Sequence, residues 1–87
     1  MEFEYDPNKS ETNKKKHGID FEEAKRLWED VNRLQVQAKS ETESRYALIA
    51  SYRGKLWSAF FTIRESRVRI ISVRRSGKGE RRLYNES

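Results

Sequence analysis

Residues 56–75 read Leu56-Trp57-Ser58-Ala59-Phe60-Phe61-Thr62-Ile63-Arg64-Glu65-Ser66-Arg67-Val68-Arg69-Ile70-Ile71-Ser72-Val73-Arg74-Arg75. Two runs rich in β-branched and aromatic residues are interrupted only by Glu65-Ser66, which predicts a hairpin of strands Leu56–Arg64 and Arg67–Arg75. Upstream, Arg53-Gly54-Lys55 is a second short connection behind a strand at Tyr46–Tyr52, so these three strands form an antiparallel meander. Leu34–Ala38 also alternates with period two. Lys39–Arg45 between them is a polar loop.

The N-terminal third changes period. Phe3-Glu4-Tyr5 reads as a short first strand. Asp6-Pro7 then opens a helix, because Asp accepts from orphan N–H groups and Pro is pre-organised for the first helical turn. That helix runs to about His17, with Gly18 suited to the left-handed residue beyond it. Its inner face, Ser10, Asn13, Lys14 and His17, holds no aliphatic residue, so apolar burial does not explain it. Asp20-x-x-Glu23 is a capping-box variant, Ile19 can staple to Ala24, and Phe21, Ala24, Leu27 and Trp28 fall on one helical face. After the breaker Ser76-Gly77-Lys78-Gly79, a short helix spans about Lys78 to Glu86. The expected order is β-α-α-β-β-β-β-α in one domain, residues 1–87. This is an α+β fold with helices packed on one face of an antiparallel sheet.

Charge is distributed unevenly. Residues 64–87 carry eight basic residues against three acids, which equals the entire net charge of +5. Seven of the eight are arginine, whose planar fork suits bidentate phosphate binding. Strict alternation puts Arg74 with Val68, Ile70 and Ser72, and puts Arg67, Arg69 and Arg75 on the opposite face with Ile71 and Val73. The absence of cysteine removes disulfides and thiolate metal sites. One histidine and no carboxylate cluster at ligand spacing leave no metal site and imply no cofactor. No apolar run is long enough for a membrane span, and the acidic start is unlike a signal peptide, so a cytoplasmic location is expected.

The polar inventory for chemistry is small. His17 suits acid–base work near neutrality, although at a helix C-terminus it also complements the dipole. The strand arginines suit phosphate, or alternatively solvate a sheet face and pair with glutamates. Glu80 stands three residues after Gly77, as the inner partner of a capping box would. Tyr84 follows four residues on, on the same helical face.

The blocks Phe3-Glu4-Tyr5-Asp6-Pro7-x-Lys9, Asn13-x-x-Lys16-His17-Gly18-Ile19-x-Phe21-Glu22-Glu23-Ala24, and Arg69-Ile70-Ile71-Ser72-Val73-Arg74-Arg75 with Glu80-Arg81-Arg82-x-Tyr84 resemble the BrnT family of bacterial type II toxins. The resemblance implies a RelE-like fold and a metal-independent endoribonuclease acting on RNA, with mRNA as the expected substrate. It also implies a BrnA-like ribbon-helix-helix antitoxin in a 2:2 complex that meets operator DNA only through the antitoxin and represses its own operon. On this resemblance Arg69 and Arg74 bind the phosphate and transition state, with Lys16 and Arg75 as supporting cations. His17 or Glu80 is then the base, and Tyr84 a stacking group or proton donor. Gly77 stands where the family commonly has a capping Ser or Thr, so a looser last helix is expected. The competing reading is a non-enzymatic nucleic-acid-binding or antitoxin-docking module.

Overall fold

A computed structural model describes residues 1–87 throughout. Strand β1 (Glu2–Glu4) leads into helix α1 (Pro7–His17) and a four-residue helix α2 (Phe21–Ala24) that continues as a 3₁₀ turn over Lys25–Glu29. Strands β2 (Leu34–Ala38), β3 (Arg45–Tyr52), β4 (Lys55–Arg64) and β5 (Arg67–Arg75) follow, and helix α3 (Lys78–Glu86) closes the chain. The molecule is α+β. No helix is long and apolar enough to cross a membrane.

The sheet order is β1-β5-β4-β3-β2. The three-strand meander and β2 are antiparallel, as the turn residues require, but β1 runs parallel to β5. The sheet is therefore mixed rather than antiparallel. The connection from β1 back to β5 passes through both helices and three strands, so no tight turn forces an antiparallel return.

Local signals act where they were read. The Asp6 carboxylate accepts from the Asn8 N–H at 2.8 Å, and Gly18 takes φ 83°. The Asp20–Glu23 capping box forms in both directions. Ile19, Phe21, Ala24 and Leu27 pack on Leu48, Ala50, Trp57, Ala59, Phe61, Val68, Ile70 and Val73 in one core. Trp28 stacks edge-on between Phe3 and Phe61 at 5.1 and 5.2 Å.

Alternation along β4 sends Trp57, Ala59 and Phe61 into that core, and therefore turns Ser58, Phe60 and Thr62 to the opposite face. Helix α3 lies on this second face, because Glu80 accepts from the Ser58 hydroxyl at 2.9 Å. The helices thus cover both faces, not one.

One irregularity changes the sheet's chemistry. Phe60 pairs with Ser72 but Phe61 pairs with Ile70, which leaves Ile71 as an extra residue in β5. This β-bulge resets the alternation. Val68, Ile70 and Val73 all enter the core, while Arg67, Arg69, Ser72 and Arg74 share the second face; Arg75 turns to the face that carries the core and α2. The strict-alternation division of the arginines is thereby corrected: Arg69 and Arg74 are on the same face.

Both hairpin tips place two residues at positive φ, the signature of type I′ turns: Arg53 and Gly54 (52° and 75°), then Glu65 and Ser66 (49° and 65°). Glu65-Ser66 has no glycine to relieve this conformation. Replacing the pair with Asn-Gly is expected to stabilise the fold by about 1 kcal/mol, seen as a Tm rise of about 4–8 °C for a domain of this size. A lowered Tm would contradict the turn assignment.

Candidate active site

Helix α1 is held by polar contacts rather than an apolar stripe. Pairing of β1 with β5 stops at Arg69, so the β5 edge beyond it is open. Asn13 closes that edge. Its amide donates to the Val73 and Ile19 carbonyls at 2.9 and 2.7 Å, and its carbonyl accepts from the Val73 N–H at 3.2 Å. Ser10 is also buried and accepts from the Phe21 N–H at 2.9 Å. These bonds satisfy buried backbone groups that would otherwise be orphaned, and they explain a helix with no aliphatic inner face.

The same docking sets the last turn of α1 beside the end of β5. His17 is half-buried and borders two clefts. One, of about 310 Å³, also takes in Lys14, Tyr52, Arg53, Lys55, Trp57 and Arg75. The other, of about 320 Å³, takes in Thr12, Asn13, Lys16, Ile71 and Ser72. A larger concavity of about 800 Å³ adjoins the first cleft through Glu23, Tyr52 and Arg53, and is lined by Glu22, Glu23, Glu29 and Asp30 against Arg26 and Arg53. Its carboxylates repel a polyanion.

On the second sheet face, Arg74 and Glu80 form a bidentate pair, Nη1 to Oε1 and Nη2 to Oε2, both at 2.8 Å. Glu80 Oε1 also accepts from Ser58 and from the Gly77 N–H at 2.9 and 2.7 Å. Glu80 thus supplies its half of a capping box, and Gly77, having no side chain, supplies nothing in return. The Arg74 guanidinium holds the Glu80 carboxyl below its ordinary value, against burial, with the Gly77 N–H and the Ser58 hydroxyl assisting. The Arg74 guanidinium also lies 5.0 Å from the centre of the Phe60 ring.

A group whose folded pKa is depressed contributes stability above its unfolded value and loses it as pH falls through the folded value. Glu80, with an ordinary value of 4.5, therefore stabilises α3 at neutral pH and releases it in acid below 4.5. Glu80→Gln is expected to cost about 1–2 kcal/mol at pH 7, because the pair is hydrogen-bonded but Arg74 remains part-exposed and screened. It should also flatten the acid limb of a stability-versus-pH curve below pH 4.5. An unchanged acid limb would refute the clip.

The remaining candidates separate. Arg69 approaches Glu4 at 3.7 Å, and Arg67 approaches Glu2 at 3.2 Å. The Tyr84 hydroxyl donates to Asp30 at 2.7 Å, and Asp30 also accepts from the Ser51 N–H at 2.8 Å. The hydrogen bond to Asp30, together with burial, pushes the Tyr84 phenol up. Burial pushes Asp30 the other way from its net shift; the Ser51, Tyr84 and Asn32 donors hold it below its ordinary value.

The structure therefore brings His17 near Lys16 and Ser72 in one cleft and near Arg75 in the other. It joins Arg74 to Glu80, leaves Arg69 with Glu4, and sets Tyr84 on Asp30. Sequence reading missed the β3–β4 hairpin residues that line the first cleft, and Phe60 under Arg74 on the second face. The signal was present as Tyr52-Arg53-Gly54-Lys55-x-Trp57, cations interleaved with aromatics around a turn.

A sequence model of BrnT, the ribonuclease toxin of type II toxin–antitoxin systems, matches residues 5–80 of the 87. Comparison with individually curated proteins gives no match. The matched span covers both clefts, the bulge and the Arg74–Glu80 pair, and stops short of Tyr84. With its ordered arginines and with most of its length matched, this chain belongs to the BrnT family of ribonuclease toxins of type II toxin–antitoxin systems.

Proposed function

We propose that the chain cleaves RNA by metal-independent transesterification at the end of β5. A ribose 2′-oxygen attacks its own 3′ phosphorus, the bond to the 5′ oxygen of the next nucleotide breaks, and a 2′,3′-cyclic phosphate and a 5′-hydroxyl result. His17 removes the 2′-OH proton, the leaving 5′ oxygen takes up a proton from water, and Lys16 and Arg75 hold the phosphate. The observation carrying this reading is the bulge at Ile71, which turns Arg75 to the side of the sheet where α1 lies, so that His17 borders Arg75 in one cleft and Lys16 in the other. Occupation of both Glu80 oxygens favours His17 over Glu80 as the base. Glu80 then acts by fixing Arg74, and Tyr84 by tying α3 to Asp30. Lys16 and Arg75 would supply preorganised positive charge where it develops on the phosphate.

In the cell this activity falls on mRNA in the cytoplasm and inhibits translation. The partner is a BrnA-like ribbon-helix-helix antitoxin in a 2:2 complex that represses its own operon, and the layout of sheet and helices is RelE-like. The test is cleavage of a defined RNA in EDTA. Expected are products ending in 2′,3′-cyclic phosphate and 5′-hydroxyl, with an all-2′-deoxy strand left intact. Cleavage that requires added Mg²⁺, or products bearing 5′-phosphate, would overturn it. A non-enzymatic docking module is favoured by one observation, that Arg67, Arg69 and Arg74 already face carboxylates as they would in an acidic partner. Folded protein that binds RNA without cutting it would select that reading.

A further inference from the structure

The cleft between the end of α1 and the β3–β4 hairpin contains more cations than the proposed chemistry uses. Tyr52 pairs with Lys55 across the hairpin, so Arg53 and Gly54 form its two-residue tip and project from the sheet beside Arg75. Lys14 is engaged by Glu23 at 2.6 Å. Arg53, Lys55 and Arg75 have no carboxylate within ion-pair distance, whereas Arg67, Arg69 and Arg74 on the other face all do.

Two of these free cations also sit over aromatic rings. The Arg53 guanidinium lies 5.4 Å from the Tyr52 ring centre, and that of Arg75 lies 5.5 Å from the Trp57 ring centre. Trp57 is 8% exposed, and its Nε1–H donates to the Tyr52 carbonyl at 3.3 Å, so its ring is a fixed backing for Arg75 rather than an open platform. Planar guanidinium groups backed by aromatics expose a face for base stacking and keep in-plane N–H groups for phosphate. Arg53 also borders the acidic concavity on its far side, which steers a polyanion back toward the cleft.

We propose that the β3–β4 hairpin tip and Arg75 form a second RNA subsite. It takes the nucleotide beside the scissile one, with phosphodiester oxygens on Arg53 and Lys55 and the base stacked on the Arg75 guanidinium. This rests on the RNA-cleavage reading above. It gives that reading a direction: the strand crosses the end of β5 at His17 and continues over the hairpin.

The test uses the full chain and a labelled RNA that is 2′-O-methylated throughout and so is not cut, with binding measured across a salt series. Arg53→Gln with Lys55→Gln removes two cations while keeping an unbranched polar side chain at both positions, including Arg53 at positive φ. Arg64→Gln with Lys39→Gln removes the same charge at the far edge of the molecule, at the ends of β4 and β2 opposite the hairpin tip. For single-stranded RNA each neutralised phosphate contributes about 0.7 to the salt slope, so the hairpin variant should lose about 1.4 and bind about tenfold more weakly at 150 mM salt. The far-edge variant should stay close to wild type. Equal losses in both variants, or no loss in the hairpin variant, would overturn the subsite while leaving wild-type cleavage to support the function. Failure of the wild type to bind the RNA at all would overturn both.

Discussion

His17→Ala is expected to lower RNA cleavage by about 10²- to 10⁴-fold, the range for a positioned proton-transfer group, while the chain stays folded. His17 is half-buried and makes no side-chain hydrogen bond or ion pair. Its removal forfeits only a favourable position at the C-terminal end of α1, about 0.3–1 kcal/mol. The distinguishing readout is single-turnover cleavage measured beside a urea melt. The variant's rate should collapse while its unfolding midpoint stays close to that of the wild type. A folded His17→Ala protein cutting at wild-type speed would remove His17 from the chemistry and return Glu80 to consideration, at the expense of its bond to Arg74.

Asn13→Ala carries the largest expected effect on stability, about 3 kcal/mol. The side chain satisfies three buried backbone groups, and each group left without a partner costs about 1–3 kcal/mol, with some recovered by water. A chain of 87 residues has a total stability of only about 4–13 kcal/mol. The variant should therefore show a much lower urea midpoint and early opening of α1 from β5. Thr12→Ala is the internal control. Its hydroxyl donates to the Asn8 carbonyl on an exposed face, so it should change stability by about 0.5 kcal/mol or less. A loss below about 1 kcal/mol in Asn13→Ala would mean that α1 is anchored by something other than this amide.

The two predictions mark the division between what was readable in the chain and what was not. The α1 boundaries at Pro7 and His17, the Gly18 cap, and the strands Leu34–Ala38 and Arg67–Arg75 all follow from capping residues, glycine and side-chain period. The helix at Lys78–Glu86 formed despite Gly77 and Gly79, because Glu80 both caps its first turn and pins it to Arg74 and Ser58. The oddity of a polar inner face on α1 was visible from Ser10, Asn13, Lys14 and His17. Its explanation was not, since Asn13 and Val73 are 60 residues apart.

The arginines make the same point for the site. The amino-acid sequence by itself determined that basic residues alternate with apolar ones in a strand near a histidine-ended helix, because period and capping act within a few residues. Which arginines share a face was decided by the tertiary structure. The Ile70-Ile71 pair offers two candidates for the core, and only packing against Phe61 and Ala59 selects Ile70 and Val73 and extrudes Ile71 as a bulge. That single extra residue moves Arg69 and Arg74 onto one face. It is imposed by the partner strand, and a strand's own alternation carries no record of it.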